Sequence, residues 1–207
     1  MIYLKVNNKQ IAIPTDWKDL TFSQYIKYQN LKETDMIGLV SFFTGIDRKL
    51  WEQSKEIQNY YLIINNLEWI SRKPKKVINC PDYIWIKEKN IKIPRHLESH
   101  TVMQYEDMRV VIQLEIKERG EFNILSYPKI IAIYLCPELF GKYDTTNYEK
   151  TIPIIEQLPY YDVVGMGNFF LTSLIGLRNG TKGNVRKLFT IGRRLMRALR
   201  GFRYGDF

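Results

Sequence analysis

The chain has 207 residues, 45% of them hydrophobic and 14% aromatic. It can therefore bury the core of one large domain or two small ones. Its content of hydrophobic residues excludes the class of intrinsically disordered chains. No apolar run approaches the roughly 18 residues of a membrane span, and the first residues lack a signal-peptide layout. We therefore expect a soluble protein made in the cytoplasm.

The net charge of +9 is concentrated at one end of the chain. The segment 178–207 contains nine Lys or Arg and one acid, a balance of +8. The segment 1–177 contains the remaining 22 basic and 21 acidic side chains, a balance of +1. The sequence therefore describes a nearly neutral body with a basic end.

The chain begins with a predicted β-hairpin followed by a capped helix. Short apolar runs at 3–6 and 10–13 flank Asn-Asn-Lys, which favours a turn, and Pro14 ends the second strand because proline cannot donate to a β-ladder. Thr21 and Gln24 then match the T-x-x-Q capping box that starts an α-helix.

The same pattern returns further along the chain: IPTDWKDLTFSQY at 13–25 is matched by IPRHLESHTVMQY at 93–105. The second copy predicts strands at 83–86 and 91–93, closure at Pro94, a Thr101–Gln104 capping box and a helix ending near Gly120. Two interpretations stay open at this stage. The hairpins form a shared sheet edge or a docking surface for a partner, or the repeated pattern only specifies the fold.

The remaining segments are predominantly helical. Helices are predicted over 35–44, with Gly45 as C-cap, and over the segment RKLWEQSKE after Asp47. A longer helix is predicted over 57–70, with these residues near one face: Tyr60, Tyr61, Ile63, Ile64, Leu67 and Ile70. Further helices are predicted over 128–135, ended by Pro137 and Gly141, and over 147–158 and 160–177. A strand is the alternative for 128–135, and glycines in 176–183 predict a flexible joint.

The predicted fold class is α+β and helix-dominated, with two β-hairpin–Pro–capped-helix units and a basic amphipathic C-terminal helix. The predicted divisions are 1–73 for the first unit, 74–178 for the second and 179–207 for the basic helix.

The search for chemistry predicts no catalytic residue, no metal site and no cofactor. His96 and His100 have i, i+4 spacing, but they precede the Thr101 cap and so fall in a loop without a third histidine. Cys80 and Cys136 form no C-x-x-C pair, and we interpret them as small buried hydrophobic residues. We expect a protein without enzymatic activity, although an acid pair assembled in space stays open.

The sharpest signal is a predicted helix over 185–202, capped by Asn184. At 100° per residue, one arc holds Leu188, Ile191, Leu195, Ala198, Leu199 and Phe202. The opposite arc holds the predicted polyanion-binding residues Arg186, Lys187, Arg193, Arg194, Arg197 and Arg200. This arc is interpreted as a solvated face, a nucleic-acid-backbone contact, a contact with an acidic protein surface or, least favoured, a membrane contact.

The N-terminal segment 1–50 resembles a phage protein family. The stretch VNNKQIAIPTDWKDLTFSQYIKYQNL, followed by LVSFFTGIDRKLWEQ, resembles small structural and assembly proteins of tailed bacteriophages, including tail-assembly-chaperone-like proteins. The excess of Lys, Ile, Asn and Tyr resembles AT-rich genomes such as those of crAss-like phages. The resemblance implies a virion or assembly role without catalysis.

The leading hypothesis is therefore a non-enzymatic virion structural or assembly protein: a head–tail or tail component, or an internal packaged protein. Its expected partners are other virion or assembly proteins, met through hairpin edges and exposed aromatics near Trp17 and Trp85, with an acidic protein surface or DNA at the basic helix. We expect an oligomer or a part of a larger assembly, in the virion or the host cytoplasm, and no membrane partner. The alternative is a cytoplasmic nucleic-acid-binding accessory protein that uses the same basic helix.

Overall fold

The structure is a computed structural model that describes residues 1–6, 9–31, 35–72, 74, 79–95, 101–120 and 122–180. In these ranges the strands are β1 (Ile2–Val6), β2 (Lys9–Ile13), β3 (Tyr83–Ile86) and β4 (Lys89–Lys92). The helices are α1 (Phe22–Gln29), α2 (Met36–Thr44), α3 (Arg48–Glu52), α4 (Ile57–Leu67), α5 (Val102–Arg119), α6 (Tyr127–Phe140), α7 (Thr145–Glu156) and α8 (Tyr160–Gly180). Single turns of 3₁₀-helix lie at Trp17–Asp19, Glu68–Ser71 and Ile124–Ser126. The predicted helix-dominated α+β class is confirmed; its basic C-terminal helix lies outside the described residues.

The chain forms two compact units. The first comprises Met1–Val77 with Gln157–Tyr161, and the second Ile78–Glu156 with Asp162–Phe207. Each unit contains one hairpin and one capped helix from the repeated pattern.

Both predicted hairpins form, and each is its own two-stranded antiparallel sheet. The interpretation of a shared sheet edge is therefore wrong for the described strands. In the second hairpin the loop is shorter than predicted: only Lys87 and Glu88 lie outside the strands, with φ of 47° and 66°. Positive φ angles at both loop residues are typical of a two-residue hairpin loop, because they give the loop a twist that matches the right-handed twist of the strands.

Both predicted capping boxes are present. The Thr21 hydroxyl accepts from the Gln24 amide, and Gln24 Oε1 accepts in return from the Thr21 amide at 2.9 Å. Thr101 and Gln104 repeat the arrangement, with the return bond at 3.0 Å. The predicted ends at Gly45 and Gly120 are also confirmed, since both glycines adopt left-handed φ angles after α2 and α5.

The first unit is organised around aromatic rings. Trp17 and Trp69 meet edge to face with centroids 5.0 Å apart, and Tyr25 lies 4.6 Å from Tyr160. The segment 157–161 adds main-chain bonds on either side of the first cap: the Phe22 amide donates to Leu158 and the Tyr160 amide donates to Leu20, each at 2.9 Å.

Two predicted helices of this unit are shorter than expected. The helix after Asp47 ends at Glu52, and the helix predicted over 57–70 ends at Leu67 and tightens into the 3₁₀ turn. That turn lets the Trp69 indole donate to the Pro14 carbonyl at 3.0 Å.

The core of the second unit is α6. Every residue from Tyr127 to Cys136 except Lys129 is buried, and Tyr134 stacks on Phe170 of α8 with centroids 3.9 Å apart. The strand alternative for this segment is excluded. Proline does not end the helix as predicted: Pro137 lies inside α6, and Gly141 ends it.

Candidate interaction surfaces

The predicted polyanion-binding residues Arg186, Lys187, Arg193, Arg194, Arg197 and Arg200 all lie outside the described residues, as do His96 and His100. Their assignment stays a prediction from the sequence. The predicted glycine joint at 176–183 is wrong in its first part, because α8 continues as a helix to Gly180. An isolated glycine costs a helix only about 1 kcal/mol, which is compatible with a helix that continues through Gly176.

Trp17 was expected to be exposed and is not. Its side chain is 7% exposed, and its indole nitrogen donates to the Arg72 carbonyl at 2.9 Å. The ring contacts Trp69, Tyr25 and Tyr28 edge to face. Trp17 therefore belongs to the aromatic core of the first unit and is not an exposed aromatic side chain.

Trp85 is exposed, as expected, and lies on the outward face of the β3–β4 hairpin. The register pairs Trp85 with Asn90 and Tyr83 with Lys92, so these four side chains share one face. Trp85 is 70% and Tyr83 53% exposed. We call this set the hairpin aromatic face. The opposite face of the same hairpin holds isoleucines that are at most 7% exposed: Ile84, Ile86 and Ile91, with Ile93 just beyond β4.

The base of this hairpin is fixed by Arg95. Its Nη2 atom donates to the Cys80 and Pro81 carbonyls at 3.0 and 3.2 Å and pairs with the Asp82 carboxylate. The guanidinium lies 5.0 Å from the centroid of the Phe169 ring in α8. The Ile93 amide extends the ladder with a bond to the Asp82 carbonyl.

A second exposed surface lies on α4 in the first unit. The helix IQNYYLIINNL contains no charged residue. Ile57, Tyr61 and Leu62 are 61%, 60% and 44% exposed, and the uncharged Gln58 and Asn65 lie exposed between them. Together these five residues form the uncharged α4 face. Tyr61 was predicted near the same face as Ile63 and Leu67, but the structure buries those two side chains and leaves Tyr61 exposed.

The sequence contained a signal for the α4 face that the helix prediction did not use. A surface helix normally carries charged residues on its outward side. Helix α4 has eleven residues and no charge, so whichever side of it faces solvent must be uncharged.

A third surface runs along α5. Met103, Val110 and Leu114 are 52%, 44% and 50% exposed, and their successive positions at i, i+7 and i+11 place them on one stripe. Asp107 lies on this stripe and accepts a 2.6 Å bond from the Tyr143 hydroxyl. Burial, and then the Asp107 carboxylate, raise the pKa of Tyr143 well above its usual range.

The described ranges contain both thiols of the chain, Cys80 and Cys136. No set of three or more His, Cys, Asp or Glu residues there could hold a metal ion. Cys136 is buried, as interpreted from the sequence, whereas Cys80 is only partly buried, so the interpretation of Cys80 as a buried residue needs correction. Burial raises the pKa of the Cys80 thiol to about 11, against the opposing influence of Arg95.

No single helix of the described ranges is long and apolar enough to cross a membrane. One pair of helical segments, 124–140 and 145–156, reaches the required length and composition only together, with a bend of 108° between them. Comparison of the chain with protein-family models, with curated proteins and with solved structures found no match.

Proposed function

We propose that this protein is a non-enzymatic structural or assembly protein of a tailed phage, and that it works by binding other proteins of the particle. The observation that carries the proposal is the uncharged α4 face. Single exposed hydrophobic residues are ordinary on a protein surface, but neighbouring ones without intervening charge are typical of interaction sites. Three large apolar side chains and two amides make α4 such a site.

The character of the partner follows from the α4 face itself. An uncharged face gains little from a charged partner, because each charge that it buries must lose its water without an opposite charge in return. The fitting partner presents apolar and amide side chains, as the centre of a protein–protein interface does. Tyr61 suits this role since an aromatic ring supplies a large contact area and tyrosine is enriched at binding hot spots.

The phage context is supported by the resemblance of the segment 1–50 to structural and assembly proteins. The described part of that segment contains the β1–β2 hairpin, the first capping box and α2, which are the elements that the shared residues predict. The α4 face follows directly in the chain. This places the proposed binding surface beside the region of resemblance and within the same compact unit.

The test uses particles produced with Ile57→Glu or Tyr61→Glu in place of the native chain. Both side chains are exposed, so each change should alter the free energy of unfolding by no more than about 0.5 kcal/mol. We expect a sharp loss of either particle yield or the chain's copy number per particle, measured by plaque titre and quantitative mass spectrometry. Gln53→Glu is the control, since it adds the same charge at an exposed position outside the α4 face. Normal particles that lack the chain, or α4 variants that behave like the control, would overturn the proposal.

The alternative function is that of a nucleic-acid-binding accessory protein. It is favoured by one observation, the balance of +8 over the segment 178–207. Such a protein would need no fixed place in the particle. It would bind duplex DNA with an affinity that falls steeply as the salt concentration rises, because each neutralised phosphate releases counterions.

A further inference from the structure

The tryptophan of the hairpin aromatic face, Trp85, is exposed, whereas the other tryptophans of the chain are buried. Of the four tryptophans, Trp17, Trp51 and Trp69 are between 6% and 8% exposed, whereas Trp85 is 70% exposed. Tyr83 lies two positions earlier on the same strand and on the same face, so the two side chains are about 6.6 Å apart along β3. The protein thus presents two neighbouring rings to solvent on one short strand.

The charge around these rings is positive. Lys87 and Lys92 are exposed, and no ion pair joins either of them to another residue of the described ranges. Lys89 pairs with Ile86 in the register and therefore lies on the opposite face of the hairpin. Lys92 stands directly across the ladder from Tyr83. Of the two nearby acids, Asp82 is paired with Arg95, which leaves Glu88 in the loop. Cations therefore border the rings on the strand side and at the tip.

This combination identifies the chemistry of the ligand. Exposed rings offer stacking surfaces to planar groups, and lysines offer charge to phosphates. A duplex keeps its bases stacked inside and cannot use the rings. A polyanion whose planar bases are accessible can use both, and single-stranded nucleic acid has that structure. We propose that the hairpin aromatic face binds single-stranded nucleic acid, with bases stacked on Tyr83 and Trp85 and a phosphate beside Lys92.

The mounting of the hairpin favours this use. The isoleucines of the inward face are buried, and Arg95 fixes the first residues of the hairpin by three hydrogen bonds. The two rings are therefore attached to a hairpin whose backbone is already fixed, so binding does not have to offset the entropy cost of ordering that backbone. Asn90, opposite Trp85, adds an amide within reach of a base edge.

The first experiment measures tryptophan fluorescence of the full chain during titration with an oligothymidylate of about 12 nucleotides, within the usual site size of single-strand binding proteins. Because Trp85 is the exposed tryptophan, stacking on it should quench a large part of the acrylamide-accessible emission. A duplex of the same length should not quench it. The titration is repeated with five arginines of the segment 178–207 changed to Gln (R186Q, R193Q, R194Q, R197Q and R200Q), which lowers the charge balance of that segment from +8 to +3 and so weakens charge-driven binding there.

The second experiment measures affinity by the anisotropy of a labelled oligothymidylate. Trp85→Ala and Tyr83→Ala should each weaken binding roughly 5- to 150-fold, whereas Trp85→Phe should retain most of the affinity because it keeps a ring. Lys92→Gln should reduce the slope of log affinity against log salt by about 0.7, the value for one phosphate of a single strand. Tyr3→Ala is the matched control, since Tyr3 occupies the equivalent position of the first hairpin and is 63% exposed; it should leave the affinity unchanged.

Three results would overturn the proposal: no binding of the oligonucleotide, equal quenching by duplex and single strand, or unchanged affinity in Trp85→Ala and Tyr83→Ala. The last result would assign any binding to the basic tail alone. Misfolding is not expected to confuse the outcome, because both rings are exposed; an unchanged urea midpoint confirms that each variant is folded. The proposal is independent of the α4 face, so failure of one leaves the other standing.

Discussion

The side-chain amide of Gln104 donates from Nε2 to the main-chain carbonyl of Ile133, 2.8 Å away. In an uninterrupted helix that carbonyl would accept from the amide of residue 137, but Pro137 has no N–H. Gln104 is 3% exposed, so water has little access to this carbonyl. A capping residue of α5 therefore completes the hydrogen bonding of α6 and allows α6 to continue through its internal proline.

The two capping boxes give a matched test of this relationship. Gln24→Glu should change the free energy of unfolding by less than about 0.5 kcal/mol, because Gln24 is exposed and Glu serves equally well in a capping box. Gln104→Glu should cost about 1–3 kcal/mol, since the carboxylate keeps the acceptor for Thr101 but loses the donor to Ile133. Urea denaturation of both variants measures the difference. Equal effects at the two positions would show that the Ile133 bond contributes nothing to stability.

Pro137 illustrates which features the sequence predicts and which it does not. The hairpins, both capping boxes and the glycine helix ends depend on residues within a few positions of each other, and all were predicted. The continuation of α6 depends on a side chain 29 residues away from the carbonyl that it contacts. Local patterns contain no information about such a partner, so the proline was interpreted as a helix end.

The exposed surfaces follow the same rule. Trp17 and Trp85 both lie within the repeated segments, yet Trp17 is buried by Trp69 and Arg72, which are distant from it in the sequence. Trp85 could be assigned to an outward face, because alternation along β3 places it opposite the isoleucines. The α4 face could not be predicted in this way, because its prediction requires knowing which side of an uncharged helix packs inward. Hydrophobic periodicity alone grouped Tyr61 with the side that is buried.

Gly167 lies under the ring of Tyr127, and a Cβ atom there would overlap with Cδ2 of that ring. The ring has little freedom to move, because its hydroxyl donates to Asn168 at 2.6 Å and the ring stacks with Phe122 at a centroid distance of 5.9 Å. Gly167→Ala should therefore destabilise the protein by about 1–3 kcal/mol through overpacking. Helix propensity alone predicts the opposite sign, a gain of about 1 kcal/mol.

The control for this prediction is the same substitution in a Tyr127→Ala background. Without the ring, Gly167→Ala should cost much less than it does in the native chain, which a double-mutant cycle measures as a coupling energy. A stabilising effect of Gly167→Ala in the native background would contradict the close approach of α8 to Tyr127.

The two thiols should be unreactive in the folded protein. Burial raises the pKa of Cys80 to about 11, which leaves only about 0.1% thiolate at pH 8, and burial also raises the pKa of the fully buried Cys136. Ellman's reagent at pH 8 should find no fast thiol in the native chain and two after denaturation. Rapid reaction of one thiol, assigned with Cys80→Ser and Cys136→Ser, would contradict this prediction.

The raised pKa of the Cys80 thiol also predicts that the free energy of unfolding decreases at alkaline pH. Its pKa is raised by folding from an ordinary value of 9.0 to about 11. The folded state therefore holds its proton more tightly than the unfolded state, and this contribution is fully present below pH 9 and is lost as the pH rises through about 11. The free energy of unfolding should fall less steeply across this window in Cys80→Ser than in the native chain, as urea titrations at successive pH values would measure.

The basic tail supplies a prediction from charge alone. Replacing Arg186, Arg193, Arg194, Arg197 and Arg200 with Gln removes up to five phosphate contacts, each worth a slope of about 0.9 in log affinity against log salt for duplex DNA. If the tail binds the DNA backbone, the slope should decrease by about 4.5, with unchanged circular dichroism. A control with Lys18→Gln, Lys27→Gln and Lys49→Gln, all exposed in the first unit, should leave the slope unchanged. Equal slopes for the native chain and the arginine variant would exclude a DNA-backbone contact and direct the search to an acidic protein surface.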